Sequence, residues 1–149
     1  MGKIAIACPQ EAVEIDRKWM REVVRKVLEG EGKPDSEISL AFVDNPTIHR
    51  LNKRFLDHDE PTDVLSFPLG ESAGKISGEL VIGAEVARDR AGEMKIPVQH
   101  ELTLYVIHGL LHLCGMDDHD DVSRRKMRQR ERRYLEEMGI PDITSAEDS

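Results

Sequence analysis

From Leu102 to Leu113 the chain reads Leu-Thr-Leu-Tyr-Val-Ile-His-Gly-Leu-Leu-His-Leu. A helix over this stretch is apolar almost all round, so it has no solvent face and must be buried. The rest of the chain has to close over it. Into that apolar surface the sequence sets His108 and His112. Four residues apart, they share one face of the helix, separated by about 6 Å along its axis. That is the separation two ligands of one metal ion need. Gly115 follows, a residue that tolerates the left-handed turn ending a helix. Beyond it come Asp117, Asp118 and His119, on a segment free to double back towards the same point. Three protein ligands with one position left open describe a catalytic zinc site, not a closed structural one.

A single histidine on an apolar helix is more often a core residue bonded to a neighbour. Here three of the six histidines fall within twelve residues. Burying several imidazoles side by side is costly unless something takes their lone pairs, and a metal ion does so. Imidazole accepts nickel, copper and iron as well as zinc; one Zn2+ is the expected ion. The nearest pattern is the His-Glu-x-x-His helix of metalloproteases, where the residue after the first histidine is the general base. Here that residue is Gly109, so a peptidase lacks its proton acceptor. His49, His58 and His100 have no spacing that brings them to the same centre.

The run from His108 through His112 to Asp117-Asp118-His119 resembles the signature of the YbeY family, bacterial metal-dependent endoribonucleases of ribosomal RNA maturation. Asn52-Lys53-Arg54-Phe55-Leu56, continuing to Asp59-Glu60-Pro61-Thr62-Asp63-Val64-Leu65-Ser66-Phe67-Pro68, resembles that family's second signature, and Gly78-Glu79-Leu80-Val81-Ile82 a third, weaker one. The blocks follow the family's order and spacing over nearly the whole chain. The resemblance implies a single YbeY-like metal-dependent hydrolase domain over residues 1–149. It implies cleavage of single-stranded RNA in late 3′-end processing of small-subunit rRNA and in ribosome quality control. The implied partners are ribosomal RNA and the small subunit, with ribosomal-protein or GTPase partners, and neither DNA nor membrane. Two rival readings are a non-catalytic, metal-stabilised ribosome-assembly factor and, less favoured, a metallopeptidase.

Two positions depart from the family's pattern. The third histidine falls six residues after the second in that pattern; here Asp118 holds the place and the histidine comes at 119. Either a one-residue insertion lets His119 ligate, or Asp118 supplies an oxygen; zinc accepts both. With His108 and His112, His119 is the expected third ligand, since it completes a set of neutral imidazoles. Some members also carry an arginine directly after the aromatic of the second block, where this chain has Leu56. Arg54 is the nearest substitute and a catalytic candidate. Asp117 is the other, a carboxylate able to orient an imidazole or accept a proton.

The net charge of −8 has the wrong sign for gripping phosphate. The charge is uneven, however. Arg124, Arg125, Lys126, Arg128, Arg130, Arg132 and Arg133 crowd one segment, and an acidic protein can carry a local basic face. The alternative is a solvated helix face interleaved with Glu131, Glu136 and Glu137. Two cysteines, Cys8 and Cys114, make no disulfide framework, which points to a reducing cytoplasm. No run of eighteen apolar residues predicts a membrane span.

Along the chain, residues 3–7 read as a strand, too short for a signal peptide. Glu11 to Leu28 reads as an amphipathic helix with Trp19 in the core, and Ile38 to Val43 as a strand. Asn45 caps a second helix with Pro46 in its first turn, burying Ile48, Leu51 and Phe55. Val64 to Leu69 reads as a strand that, with Pro68 near its end, should lie at an edge or stop there, followed by a strand over Ile76 to Ile82. Short helical patterns cover Glu85 to Met94 and, after a cap at Asp120 or Ser123, the segment to Met138. The tail from Asp142 to Ser149 reads as disordered. Together these predict an α+β fold: a mixed four-stranded sheet with about five helices packed on it and the histidine helix buried centrally.

Overall fold

A computed structural model of the chain describes residues 2–144. Four strands, β1 (Lys3–Ala7), β2 (Glu37–Val43), β3 (Val64–Ser72) and β4 (Lys75–Gly83), form one sheet in the order β1-β2-β4-β3. Five helices accompany it: α1 (Arg17–Gly30), α2 (Asn45–Leu56), α3 (Ala84–Met94), α4 (Val98–Leu113) and α5 (Asp121–Glu137). β1, β2 and β4 run parallel and β3 antiparallel to β4. The architecture is the α+β arrangement read from the sequence. No helix among the described residues is long and apolar enough to cross a membrane.

Strand alternation divides the core between the two faces of the sheet. Ile38, Leu40 and Phe42 of β2 and Ile76, Leu80 and Ile82 of β4 pack on one side with α1, α4 and α5. On the other side Val43, Leu65 and Val81 meet Ile48 of α2, with Phe67 at the margin. α4 touches α1, α3, α5, β3 and β4, and every residue from Glu101 to Leu111 except His108 is buried. The apolar run thus does what its pattern demands. It lies under the sheet, with His108 and His112 half-buried towards its C-terminal end.

The edge position of β3 follows from Pro68, whose missing N–H would break an inner ladder. The register slips between Pro68 and Gly70. Ala73 and Gly74 both take positive φ, 52° and 77°, in the two-residue loop that turns β3 into β4.

Three local expectations differ from the structure. α1 begins at Arg17, not at Glu11. Asp16 caps it by accepting the Trp19 N–H at 3.0 Å, and the Gln10 side chain holds a separate bend by accepting from and donating to the Val13 backbone. α2 is capped by Asp44, which accepts the Thr47 N–H at 2.9 Å, so that Asn45 lies inside the first turn. The chain from Asp142 is docked as far as it is described. Arg132 pairs with Asp142 at 3.2 Å and donates to the Thr144 hydroxyl at 2.8 Å, while Ile143 and Thr144 are buried. Residues 145–149 of the expected tail lie outside the described residues.

Gly109 sets how closely α4 approaches the sheet. A Cβ there would stand 2.8 Å from Leu80 Cδ2 and 3.1 Å from Val64 Cγ2. The Ser66 hydroxyl donates to the Gly109 carbonyl at 3.1 Å across the same contact. Leu80 is fully buried and cannot swing away cheaply. Replacing Gly109 with Val should therefore destabilise the fold by about 1–3 kcal/mol. Urea denaturation measures this, and an unchanged midpoint would contradict the packing described.

Candidate metal centre

His108 and His112 project from the last two turns of α4 into a gap bordered by β3, the loop after Gly115, and α5. Their Nε2 atoms stand 3.0 Å apart, with the rings edge to face at 80°. Each ring's other nitrogen is occupied. His108 Nδ1 lies 2.9 Å from a carboxylate oxygen of Glu131, and His112 Nδ1 lies 3.1 Å from the Met116 carbonyl. Both partners can only accept, so both Nδ1 atoms carry the proton in the neutral rings. The two Nε2 lone pairs then point at each other. A metal ion set against both, or a proton shared between them, removes the repulsion. Two nitrogens at about 2.0–2.1 Å from one tetrahedral zinc are about 3.3 Å apart, a few tenths of an ångström from what is found. The donor set therefore fits a metal ion.

A carboxylate closes the group. Asp118 places one oxygen 3.6 Å from His108 Nε2 and the other 3.7 Å from His112 Nε2. One ligating atom from each of the three residues falls within 4.8 Å of the others. His119, expected as the third imidazole, is not in this converging group. It lies on the wall of the groove that His108 and His112 floor. Gly115 turns the chain at φ 97°, and the irregular segment after it gives the adjacent Asp118 and His119 side chains different surroundings. Asp118 faces inward, half-buried, and His119 is exposed. Asp117 is exposed and accepts the His119 backbone N–H at 3.4 Å. Arg54 sits on the last turn of α2 with its guanidinium 5.3 Å above the Phe55 ring. His49 pairs instead with Asp59 at 2.7 Å.

Glu131 was not foreseen. Counted from sequence among the solvated acids of α5, it is fully buried, and Arg128 holds its second oxygen at 3.0 Å. A signal existed: Glu131 shares the helix face of Met127, Tyr134 and Leu135, all buried. An acid on an apolar stripe needs a partner, and here the partner is the His108 imidazole. Carboxylates of this kind fix the ring's tautomer and raise its basicity.

The proton affinities of the two rings are split. Burial pulls the His108 imidazole down, but the bond to Glu131 and the charges of Glu131, Asp63 and Asp118 outweigh it, so its pKa lies above the ordinary value. Burial and the charge of His108 hold His112 below that value. His108 therefore takes the first proton.

The chain matches the family model for endoribonuclease YbeY over residues 5–139. It belongs to that family. Among the YbeY relatives, the endoribonuclease YbeY of Salinibacter ruber is 39% identical over 130 residues, 82% of this chain and 83% of its own length. That of Sulfurovum sp. is 40% identical, covering 87% of this chain and 92% of the relative. The solution structure of TM1509 from Thermotoga maritima superposes with a TM-score of 0.64 at 29% identity, covering 90% of this chain and 87% of that one. The YbeY match takes in α4, the loop after it and nearly all of the sheet.

Because an ion must displace the His108 proton, zinc affinity should rise with pH and level off above about 6.5, the value for a free imidazole. Glu131→Gln should bring the plateau to lower pH, and should weaken zinc binding at the plateau by about 10–100-fold. Competition with a chromogenic chelator across this range measures both. Affinity that is flat with pH would contradict the assignment.

Proposed function

We propose that this chain is a metal-dependent endoribonuclease that cuts single-stranded RNA. Its substrate on this reading is ribosomal RNA of the small subunit, near the 3′ end and late in maturation, with a role in ribosome quality control. The observation that carries the reading is the pair of imidazole lone pairs facing each other at 3.0 Å, beside Asp118 and at the floor of an open groove. The endoribonuclease name of the relatives supplies the substrate class.

His108 and His112 would hold one zinc ion. The loop after Gly115 would supply the third donor: Asp118 as the side chains stand, or His119 by a turn of its exposed ring. A bound ion supplies a Lewis acid for a phosphoryl oxygen and lowers the pKa of bound water towards about 7. Glu131 keeps the His108 ring oriented, and Arg128 keeps Glu131 in place. On this reading Asp117 would accept a proton and Arg54 would meet a phosphate.

The acidic overall charge is offset locally. Arg124, Arg125, Arg128 and Arg132 line one concavity along α5. Arg128 also borders a second cavity that contains His108, Asp63, Asp118 and Glu131. The cationic stripe thus runs up to the metal centre, a path suited to a phosphate backbone. Cytoplasmic location and contacts with the small subunit, ribosomal proteins or a GTPase belong to the same proposal.

A second reading, a metal-stabilised assembly factor without catalysis, draws on one observation: the His108–Glu131 bond ties α4 to α5, so an ion there could serve the fold. His112→Ala separates the two, because it removes one nitrogen of the centre and leaves the His108–Glu131 bond in place. The nuclease reading predicts loss of internal cleavage of an unstructured RNA by the zinc-reconstituted protein, with the thermal midpoint nearly unchanged. Unfolding of the variant, with no cleavage by the native protein, would favour the assembly factor.

A further inference from the structure

The groove above the metal centre has a wall that the metal does not explain. Phe55, Leu56, Val64, Phe67 and Pro68 share the lining of a cavity of about 550 Å3 with His108, His112 and His119. The sequence holds three phenylalanines, and two of them stand here, ring edge to ring face at 5.4 Å and 71°. The α2 pattern predicts a buried Phe55, yet it is 54% exposed. Leu56 beside it is 53% exposed. Exposed apolar side chains gathered on a concave surface next to polar ligating groups mark a ligand-contacting wall.

The chemistry of the wall narrows the ligand. An exposed phenyl ring braced by a second ring is a stacking platform for a flat π-system, and the Arg54 guanidinium, 5.3 Å from the same ring's centroid, is the cation an incoming base would displace towards its phosphate. The same groove holds the groups that would meet a phosphodiester. One nucleotide presents both halves, a flat base and an anionic linkage. Ser66 is the only hydroxyl among the described residues lining this cavity, and it spends its proton on the Gly109 carbonyl; no amide or carboxylate side chain stands in the lining, so the wall offers little to discriminate base edges.

We propose that Phe55, backed by Phe67, is a subsite for one unpaired nucleobase next to the bond that is cut. It takes any of the four bases by stacking, with Arg54 beside the nucleotide's phosphate. The inference rests on the nuclease reading above and adds to it a physical source of strand preference. A base inside a duplex is already stacked on both faces and cannot offer one to Phe55.

Single-stranded RNAs carrying 2-aminopurine at successive positions test this, titrated with the full chain both zinc-loaded and chelator-treated. The fluorescence should be quenched at one position, equally in different flanking sequences and not in a duplex. Phe55→Ala should remove the quenching and weaken RNA binding about tenfold, and Phe55→Trp should restore both. Zinc affinity and the thermal midpoint of Phe55→Ala should match those of the native protein, since the ring is exposed. Unchanged binding and quenching in Phe55→Ala would overturn the subsite, leaving the nuclease reading intact if the native protein still cuts RNA. RNA binding unaffected by Phe55→Ala, together with a Phe55-dependent interaction with an aliphatic peptide, would assign the wall to a protein partner and overturn it as well. A native protein that neither binds nor cuts single-stranded RNA would overturn both readings.

Discussion

A buried carboxylate on the His108 imidazole ties this structure together. Glu131 has no exposure to water and reaches His108 at 2.9 Å. An unpaired carboxylate there would be strongly destabilising. Two groups prevent that, His108 on one oxygen and Arg128 on the other. The same contact joins α5 to α4 and turns the His108 Nε2 lone pair towards the gap it shares with His112. The fold and the metal centre therefore depend on one interaction, and a residue on the C-terminal helix sets the geometry of a site built on the helix before it.

The close approach of α4 to the sheet is the second constraint. Gly109 and Gly78 each lack a side chain where one would strike a neighbour: Gly109 against Leu80, Gly78 against Leu113. The helix can then sit low enough on β3 and β4 for its histidines to open onto the groove beside Val64 and Phe67. The glycine between the two ligands also leaves no room for the carboxylate that a peptidase of the His-Glu-x-x-His kind would place there. The packing of this fold and the absence of that base have a single cause.

Features fixed by local pattern were legible in the sequence. The buried helix, the histidine pair, the edge strand with Pro68 and the Asp120 cap all follow from spacing or from one residue's covalent geometry. Features decided by distant partners were not. Glu131 reads as one acid among many until the His108 ring is placed against it. Phe55 falls on an apolar helical stripe, but α2 ends at Asp57 in a left-handed turn with φ 57°, and Phe67 meets only part of the ring, which stays 54% exposed. Asp16 and Asp44 each took the capping role one or more residues away from where the periodicity began, because a capping oxygen and not the apolar pattern decides where a helix starts. The choice between Asp118 and His119 turned on which of two adjacent side chains faces inward, a matter of loop direction that spacing cannot supply.

The central claim is that His108 and His112 both hold their proton on Nδ1 and give Nε2 to one ion. Nitrogen NMR of the histidine rings, recorded on the protein before and after one equivalent of zinc, tests this most directly. The account predicts that zinc moves the Nε2 resonances of both rings to metal-bound positions while both Nδ1 atoms keep their protons. A zinc-loaded protein in which either ring carries its proton on Nε2, or in which only one of the two responds, would contradict it.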